Sequence, residues 1–245
     1  MTFARRRASL PILGLLALAG CKPASTGHEQ APARQGDKPE LLLLTSLPIL
    51  FGETFSIEAA GSPVLDALER RYRVRPVSTS SAEALEGASL LLMAHPLAQP
   101  AEDLVALDRW VREGGKLVLL ADPMLEWPDS RALTDPTRPP PMFMDTGLLK
   151  HWGLRLEAPE AAGPVSLGGG HRPVVFQSPG RLVAEGGNCS LSRAGIVAQC
   201  RIGKGRVILF ADADFIRPGL ANERESFAAN QTGELLWALD RLDGR

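Results

Sequence analysis

The sequence predicts an α/β domain with a mostly parallel sheet flanked by helices. Three apolar runs, LLLLTS at residues 41–46, LLLMA at 90–94 and LVLLA at 117–121, show no alternation of apolar and polar side chains. Continuous runs of this length are typical of parallel strands that are buried on both faces. Helical patterns separate the runs, and this β-α-β order favours a parallel sheet with right-handed crossovers.

Two helices and one further strand connect these runs. The Ser-Pro pair at the start of residues 62–71 predicts a short helix, and residues 72–77 follow it as a strand. Residues 101–113 form the clearest helical pattern, with acidic side chains in the first turn and Gly114-Gly115 at the end. Its apolar side chains recur at helical spacing: Leu104, Leu107, Trp110 and Val111.

The C-terminal half combines a strand-rich insertion with a return to regular α/β structure. Residues 146–152 are predicted as a short helix, and residues 154–200 as short strands with Gly- and Pro-rich turns. Residues 206–211 then form another strand, and residues 223–242 an amphipathic helix. The buried side of that helix is predicted to contain Phe227, Leu235, Leu236, Leu239 and Leu242.

A bacterial lipoprotein signal peptide is predicted at residues 1–20. Three arginines precede an apolar run at residues 10–19, and Leu-Ala-Gly stands directly before Cys21. The run is too short for a permanent transmembrane helix but suits a cleavable signal. Cleavage would leave Cys21 as the N-terminus, with lipid chains such as palmitate that hold the protein to a membrane. The alternative is an ordinary secretory signal with a chance cysteine.

The expected location is the periplasmic side of the cell envelope, with inner and outer membranes both open. Residues 21–39 are polar and rich in Pro and Gly, which predicts a flexible tether, and residues 40–245 are predicted as a single α/β domain. Removing three arginines from 27 basic residues leaves 24 against 28 acidic ones, a charge near −4. Without a basic stripe, nucleic acid is excluded as the expected partner.

Two cysteines of the C-terminal half are predicted to form a disulfide. Residues 189–193 and 196–200 fit the two strands of a hairpin that turns at Ala194-Gly195. In that register Cys189 faces Cys200, at a separation that suits a cross-strand bridge in an oxidising compartment. Free buried thiols are the alternative, and zinc is disfavoured because no histidine pair accompanies the cysteines.

Three aspartates are the candidate ligand-binding residues. Asp122 follows one buried strand, and Asp212 and Asp214 follow another. Open α/β sheets bind ligands at this carboxyl edge, and carboxylate oxygens suit Mg²⁺ or Ca²⁺. The alternative is that these aspartates only cap the turns that follow the strands. No cofactor or bound metal is predicted, because no phosphate loop accompanies the acids.

Three stretches of the chain resemble a known family. They are ALDRWVREGGKLVLLADP at residues 106–123, GKGRVILFADADF at 203–215, and the last helix with Asn230 and LLWALDRL at 235–242. They resemble the auxiliary extracytoplasmic domain of gliding-motility-type, uncharacterised ABC transport systems. The resemblance implies a class I glutamine amidotransferase-like fold, a flavodoxin-like three-layer arrangement, and ABC permease and ATPase subunits as partners.

The residues needed for amidotransferase catalysis are missing from the expected position. Such an enzyme needs a cysteine nucleophile on a tight turn after a strand, with a histidine nearby. Residues 122–124 read Asp-Pro-Met, and no G-x-S-x-G occurs in the chain. We therefore expect a non-catalytic binding or scaffold domain that is accessory to an ABC-type system. The alternatives are a degenerate or metal-assisted hydrolase that uses the three aspartates, and a free-standing envelope lipoprotein.

Overall fold

The computed structural model describes residues 38–50, 62–132, 134–168, 173–218 and 225–244, with the backbone alone for 225–231. The predicted signal peptide, Cys21 and all but the last two residues of the predicted tether lie outside these ranges, and so does the side chain of Phe227. The described residues belong to one compact unit, Arg34–Arg245. Among their helices, none has the length and apolar character needed to cross a membrane.

Eleven strands and five α-helices occur in the described residues. In chain order they are β1 (Glu40–Thr45), α1 (Pro63–Arg71), β2 (Arg73–Pro76), α2 (Ala82–Leu85), β3 (Leu90–Ala94), α3 (Ala101–Glu113), β4 (Lys116–Leu120), α4 (Leu148–His151), β5 (Leu154–Glu157), β6 (Pro164–Leu167), β7 (Val174–Gln177), β8 (Arg181–Ala184), β9 (Cys189–Ser192), β10 (Val197–Ile202), β11 (Gly205–Phe210) and α5 (Glu225–Asp243). The predicted bounds of β3 and α3 are confirmed, and the other predicted helices and strands named above differ by one or two residues at their ends.

Seven strands form the central sheet of the described chain, in the order β2-β1-β3-β4-β11-β10-β9. The strands from β2 to β11 are parallel, and β10 is antiparallel to both of its neighbours. Strands β5 and β8 form a separate antiparallel pair, and so do β6 and β7. The predicted α/β class, with a mostly parallel sheet and a strand-rich C-terminal half, is confirmed.

The continuous apolar run of β1 is explained by two cores, one on each face of the sheet. Leu41 and Leu43 pack with side chains of α1 and α5, whereas Leu42 and Leu44 pack with side chains of α3. All four leucines are buried. Because neighbouring side chains of a strand point to opposite faces, every position of this strand must be apolar. Each buried leucine contributes about 1.5–3 kcal/mol to folding.

Local signals fix the ends of the helices that bracket the sheet. The Ser62 hydroxyl accepts a hydrogen bond from Val64 N (3.3 Å) and caps α1. Helix α3 ends at Gly114, whose φ of 128° favours glycine. A Cβ on Gly115 would lie 2.4 Å from the Trp110 ring, so glycine is required where β4 begins. The sequence patterns do not predict α2, which is a single turn.

The predicted hairpin and its disulfide are confirmed. Strands β9 and β10 pair with Cys189 opposite Cys200 and Leu191 opposite Ala198. The two cysteines form a disulfide, with their Cα atoms 4.1 Å apart. The turn lies at Ala194, in the left-handed region with φ 56°, and at Gly195 with φ 91°.

The order of the strands creates a topological switch point between β1 and β3. From β1 the chain passes through α1 on one face to β2, and from β3 it passes through α3 on the other face to β4. The two crossovers therefore leave the β1–β3 boundary in opposite directions. In open α/β sheets the crevice at the carboxyl ends of such a strand pair is where ligands bind.

Candidate functional site at the carboxyl edge of the sheet

The three predicted aspartates are brought together at the carboxyl edge. Asp122 lies just beyond β4, and Asp212 and Asp214 lie just beyond β11. Because β4 and β11 are parallel neighbours, with Leu120 opposite Phe210, their following loops meet. One oxygen of each carboxylate lies within 4.8 Å of the others, and all three side chains are fully buried. We call these three residues the carboxylate cluster.

Two of the carboxylates hold the β4 loop and the β11 loop to each other. Asp122 accepts hydrogen bonds from Met124 N (2.8 Å) in its own loop and from Ala213 N (2.7 Å) across the edge. Asp214 reciprocates by accepting a hydrogen bond from Glu126 N (2.6 Å). Each loop therefore satisfies backbone donors of the other, which buried N–H groups require.

The third carboxylate connects the strand-rich region to the same edge. Asp212 accepts hydrogen bonds from Gln177 N (2.6 Å), at the end of β7, and from Phe215 N (3.1 Å). The second bond joins Asp212 to the short 3₁₀ turn Asp214–Ile216. Five of the six carboxylate oxygens in the cluster thus accept a backbone N–H, and Asp214 Oδ1 is the exception.

Burial makes the ionised form of the cluster costly. Burial raises the pKa of Asp122, and burial together with the neighbouring Asp122 charge raises the pKa of Asp212 well above its usual value. Burial also raises the pKa of Asp214 to about 7. In the described chain the one ion pair of the cluster joins Asp214 Oδ1 to Arg217 Nη1 at 3.8 Å. One guanidinium does not neutralise three buried carboxylates, so the cluster retains protons below neutral pH.

Further polar side chains surround the cluster that the sequence patterns do not reveal. The Glu126 carboxylate accepts hydrogen bonds from Gln177 Nε2 (2.6 Å) and from the Ser178 hydroxyl. Ser178 is buried and has a φ of 48°. Arg217 Nη1 donates to Glu126 O at 2.6 Å. The sequence offers no signal for these contacts, because their partners lie more than 50 residues apart.

A buried histidine occupies the turn that follows β3. His95 has a φ of 46°, and its backbone N donates to Leu120 O (3.0 Å). Its ring Nε2 lies 2.8 Å from Pro140 O, and Nδ1 has no hydrogen-bond partner in the described chain. Burial lowers the pKa of His95 to about 4, so its ring is neutral at physiological pH. Its one ring contact is to a carbonyl, which is not a catalytic pairing with a nucleophile.

A cavity of about 1040 Å³ opens at the topological switch point, and none of the three aspartates lines it. Its walls come from the carboxyl ends of β1 and β2, from Leu97 and Gln99 beyond β3, and from residues 128–131, 136 and 137. The described lining includes Thr45, Ser46, Val77, Ser78, Leu97 and Gln99. The Thr45 hydroxyl donates to Ala94 O (2.8 Å) and the Ser46 hydroxyl to His95 O (2.5 Å), which joins the ends of β1 and β3. We call this cavity the switch-point pocket.

A family model matches residues 38–165, just over half of the chain. It represents an auxiliary family described as "ABC-type uncharacterized transport system". The chain belongs to this family. The family name indicates an accessory domain of an ABC transport system. No curated protein matches the chain.

The match to the ABC-type uncharacterized transport system family includes one part of the carboxyl edge and leaves out another. Every described residue that lines the switch-point pocket lies between residues 44 and 137, inside the match. The carboxylate cluster is completed by Asp212 and Asp214, which lie outside it. The pocket is therefore the part of the edge that lies wholly within the family-defining segment.

The solved structures to which the chain is similar have low sequence identity to it. The mmIFT52 N-terminal domain is 12% identical with a TM-score of 0.54, and the match covers 84% of this chain and 98% of that one. The exo-β-1,4-mannosidase Op5Man5 from Opitutaceae bacterium strain TAV5 is 16% identical with a TM-score of 0.47, over 82% of this chain and 35% of that one.

A β-galactosidase from Bacillus circulans sp. alkalophilus is 12% identical with a TM-score of 0.47, over 84% of this chain and 31% of that one. The chain thus spans about a third of the length of each of these two glycosidases. The likeness to mmIFT52 concerns the fold alone, and the two glycosidase similarities are too weak to support a functional inference.

Proposed function

We propose that this protein is a non-catalytic accessory domain of an ABC transport system, held to a membrane by lipid on Cys21. The switch-point pocket is its binding site for a neutral peptide segment of the transporter's membrane subunits. The observation that carries the proposal is the position of this pocket, at the one β1–β3 boundary where the crossovers diverge and inside the family-matched residues.

The chemistry of the pocket favours a neutral occupant. Its described charged lining residues are Asp129 and Arg131, and these neutralise each other. Arg131 donates through Nε (2.9 Å) and Nη2 (2.5 Å) to the Asp129 carboxylate, and through Nη1 to Thr137 O (2.5 Å). The remaining lining consists of apolar side chains, hydroxyls and the neutral amide of Gln99. A volume of about 1040 Å³ lies at the upper end of the range for small-molecule sites, which suits a peptide segment.

A non-catalytic role is supported by where the reactive side chains lie. Cys189 and Cys200 are joined in a disulfide on the antiparallel side of the sheet, so neither thiol is a nucleophile. Among the described residues, the ring of His95 forms its one hydrogen bond with the backbone carbonyl of Pro140. The carboxylate cluster is closed to solvent, and backbone donors occupy five of its six oxygens.

The metal-assisted hydrolase remains the second candidate because the cluster has the oxygen ligands and spacing that a divalent cation needs. The glutamine amidotransferase-like assignment of the fold is also part of our proposal. It is supported by the parallel order β2-β1-β3-β4 with helices on both faces.

The lipid anchor and the periplasmic location rest on the sequence around Cys21. Lipid chains contribute about 0.8 kcal/mol per buried CH₂, so an N-terminus that carries three acyl chains holds a protein firmly to a membrane. The disulfide is consistent with an oxidising compartment. We expect Cys21→Ser to yield an uncleaved precursor without lipid, as measured by intact-protein mass spectrometry. Cleaved and acylated protein from this variant would refute the anchor.

Co-purification from detergent-solubilised membranes tests the transporter partnership and the pocket together. The wild-type protein is expected to carry an ABC ATPase and a permease, quantified by mass spectrometry. Ser78→Trp, which fills the pocket from an exposed position, should reduce both several-fold. The matched control is Val105→Trp, at an exposed position of α3 outside the pocket.

Each outcome of this experiment assigns the protein to one alternative. Absence of both subunits from the wild-type preparation would contradict the transporter partnership and favour a free-standing lipoprotein. Their retention by Ser78→Trp at the wild-type level would refute the pocket as the binding site.

A further inference from the structure

A second cleft, of about 540 Å³, lies at the opposite edge of the sheet from the carboxylate cluster. It is formed by the start of β9, the end of β10, the start of β11 and the end of α5. Asp212 follows the end of β11 whereas Arg206 stands near its start, so the two sites are separated by the length of this strand. Six residues of strand span roughly 20 Å.

Three arginines line this cleft, and its described lining contains no acidic side chain. They are Arg201, Arg206 and Arg241, and we call the site the arginine cleft. None of the three forms an ion pair with a carboxylate in the described residues. This contrasts with the overall chain, which carries a net negative charge.

Acidic residues of α5 near the cleft are engaged elsewhere. Asp240 pairs with Arg71 and accepts a hydrogen bond from the Tyr72 hydroxyl (3.0 Å). Asp243 pairs with Lys116 at 3.5 Å. The acidic side chains Asp240 and Asp243 of the helix that forms one wall therefore do not pair with the arginines of the cleft.

Neutral contacts hold two of the arginines in place without cancelling their charge. Arg206 donates to Arg241 O (3.3 Å) and to Leu242 O, the last carbonyls of α5. Arg241 Nε donates to Gln199 Oε1 at 3.0 Å, and its guanidinium lies 5.6 Å from the centre of the Trp237 ring. Arginines that are positioned but not neutralised are suited to bind phosphate groups.

The chain enters the domain at the same edge as the arginine cleft. The strand registers align Leu42 of β1 with Leu91, Leu91 with Leu117, and Leu117 with Val207 of β11. The start of β1 is therefore level with the start of β11, three strands away, or roughly 15 Å. Because the proposed lipid anchor precedes β1 in the chain, the segment that carries the anchor joins the described domain at this edge.

We propose that the arginine cleft binds the phosphate of an anionic phospholipid headgroup at the membrane surface. The source of the phosphate, a lipid rather than a free ion, rests on the proposed anchor at Cys21. Trp237 is 42% exposed beside Arg241, and an indole next to cationic side chains is typical of a surface that meets the lipid headgroups. Lipid headgroups attract Arg side chains that lie near the bilayer surface.

The test measures the melting temperature of the full mature protein in neutral detergent micelles. The probes are phosphatidylglycerol added to the micelles, phosphatidylcholine added in the same amount, and inorganic phosphate in the buffer. We expect stabilisation by phosphatidylglycerol alone, and a dissociation constant about fivefold higher in Arg201→Gln and in Arg241→Gln. Arg109→Gln is the matched control, because Arg109 is exposed on α3, away from the cleft.

Three results would overturn the proposal. Equal stabilisation of the two cleft variants and the wild type would show that the cleft is not the site. Equal stabilisation by phosphatidylcholine would show that negative charge is not recognised. Saturation by inorganic phosphate with no further gain from phosphatidylglycerol would identify a free-phosphate site. The micelle assay does not require lipid on Cys21, so its failure is distinguishable from failure of the anchor.

Discussion

The carboxyl edge of the sheet contains two regions of opposite character. At β4 and β11, three aspartates meet in a fully buried cluster whose oxygens accept backbone N–H groups. At β1 and β3, hydroxyls and apolar side chains line an open pocket of about 1040 Å³. The acidic residues that the sequence marks as a candidate site therefore accept hydrogen bonds that join neighbouring loops. The switch-point pocket lies at the β1–β3 boundary, and the order of the strands, rather than a sequence motif, accounts for its position.

The largest expected effect is a loss of stability when the buried carboxylate cluster, rather than the open pocket, is mutated. Asp122→Ala removes the acceptor of Met124 N and leaves Ala213 N as a buried donor without a partner, and we expect a loss of about 2–4 kcal/mol in the free energy of unfolding. An ordinary turn cap would cost only about 1 kcal/mol. Urea-induced unfolding followed by circular dichroism measures the difference.

The matched control for Asp122→Ala is Asp135, a partly exposed aspartate that does not line the switch-point pocket. Asp135 accepts a hydrogen bond from Thr137 N (2.8 Å) in a partly exposed turn of the loop at residues 128–137. Asp135→Ala should cost less than about 1 kcal/mol, because water replaces the lost acceptor. Equal losses from the two variants would show that the buried cluster is no more structural than a surface turn.

A smaller expected effect is a pH dependence of the free energy of unfolding that arises from the carboxylate cluster. The pKa of Asp214 is raised to about 7, so the folded protein keeps a proton that the unfolded chain releases near pH 4. The stabilisation from this proton is complete below about pH 4 and is lost as the pH rises through about 7. Asp214→Asn should remove part of this decline, on the order of 1–3 kcal/mol between pH 4 and 7.5.

His95 is expected to change the pH dependence of the free energy of unfolding in the opposite direction from Asp214, which allows the two contributions to be separated. Its pKa is lowered to about 4, so its contribution is complete above pH 6.5 and is lost as the pH falls towards 4. His95→Gln should therefore flatten the acid side of the stability profile, whereas Asp214→Asn flattens its decline towards neutral pH. Identical profiles for Asp214→Asn and wild type, from urea midpoints at several pH values, would contradict the assignment of the decline to Asp214.

The smallest expected effect concerns the stability of the open region. Ser78→Trp fills the pocket from an exposed position and should change the free energy of unfolding by less than about 0.5 kcal/mol. Loss of partner subunits by this variant would then reflect binding rather than unfolding. A destabilisation as large as that of Asp122→Ala, measured by the same urea titration, would show that the pocket residues serve the fold.

The sequence predicts the regular parts of this fold well because their signals are local. The apolar run of β3, the helical spacing and the terminal glycines of α3, and the alternation that sets Cys189 opposite Cys200 all act within a few residues. Each of these signals depends on neighbouring residues and not on distant parts of the chain.

The function of the edge is harder to predict because its contacts join distant segments. The sequence shows that Asp212 follows a strand, but not that Gln177, 35 residues earlier, donates to it. Likewise, the pocket needs residues 128–137 to fold against the ends of β1 and β2, and no local pattern specifies that closure. Tertiary packing determines which carboxylates accept backbone N–H groups and where the switch-point pocket forms.

A metal titration tests the central claim most directly. The melting temperatures of wild type, Asp122→Asn and Asp214→Asn are measured in the presence and absence of millimolar Mg²⁺ or Ca²⁺. A cation that bound the cluster at about 100 times its dissociation constant would stabilise the fold by about 2.7 kcal/mol, or several degrees. If the carboxylates serve as acceptors for backbone donors, neither ion should raise any of the three melting temperatures. A rise of several degrees in wild type, absent from both variants, would contradict this account and favour the metal-assisted hydrolase.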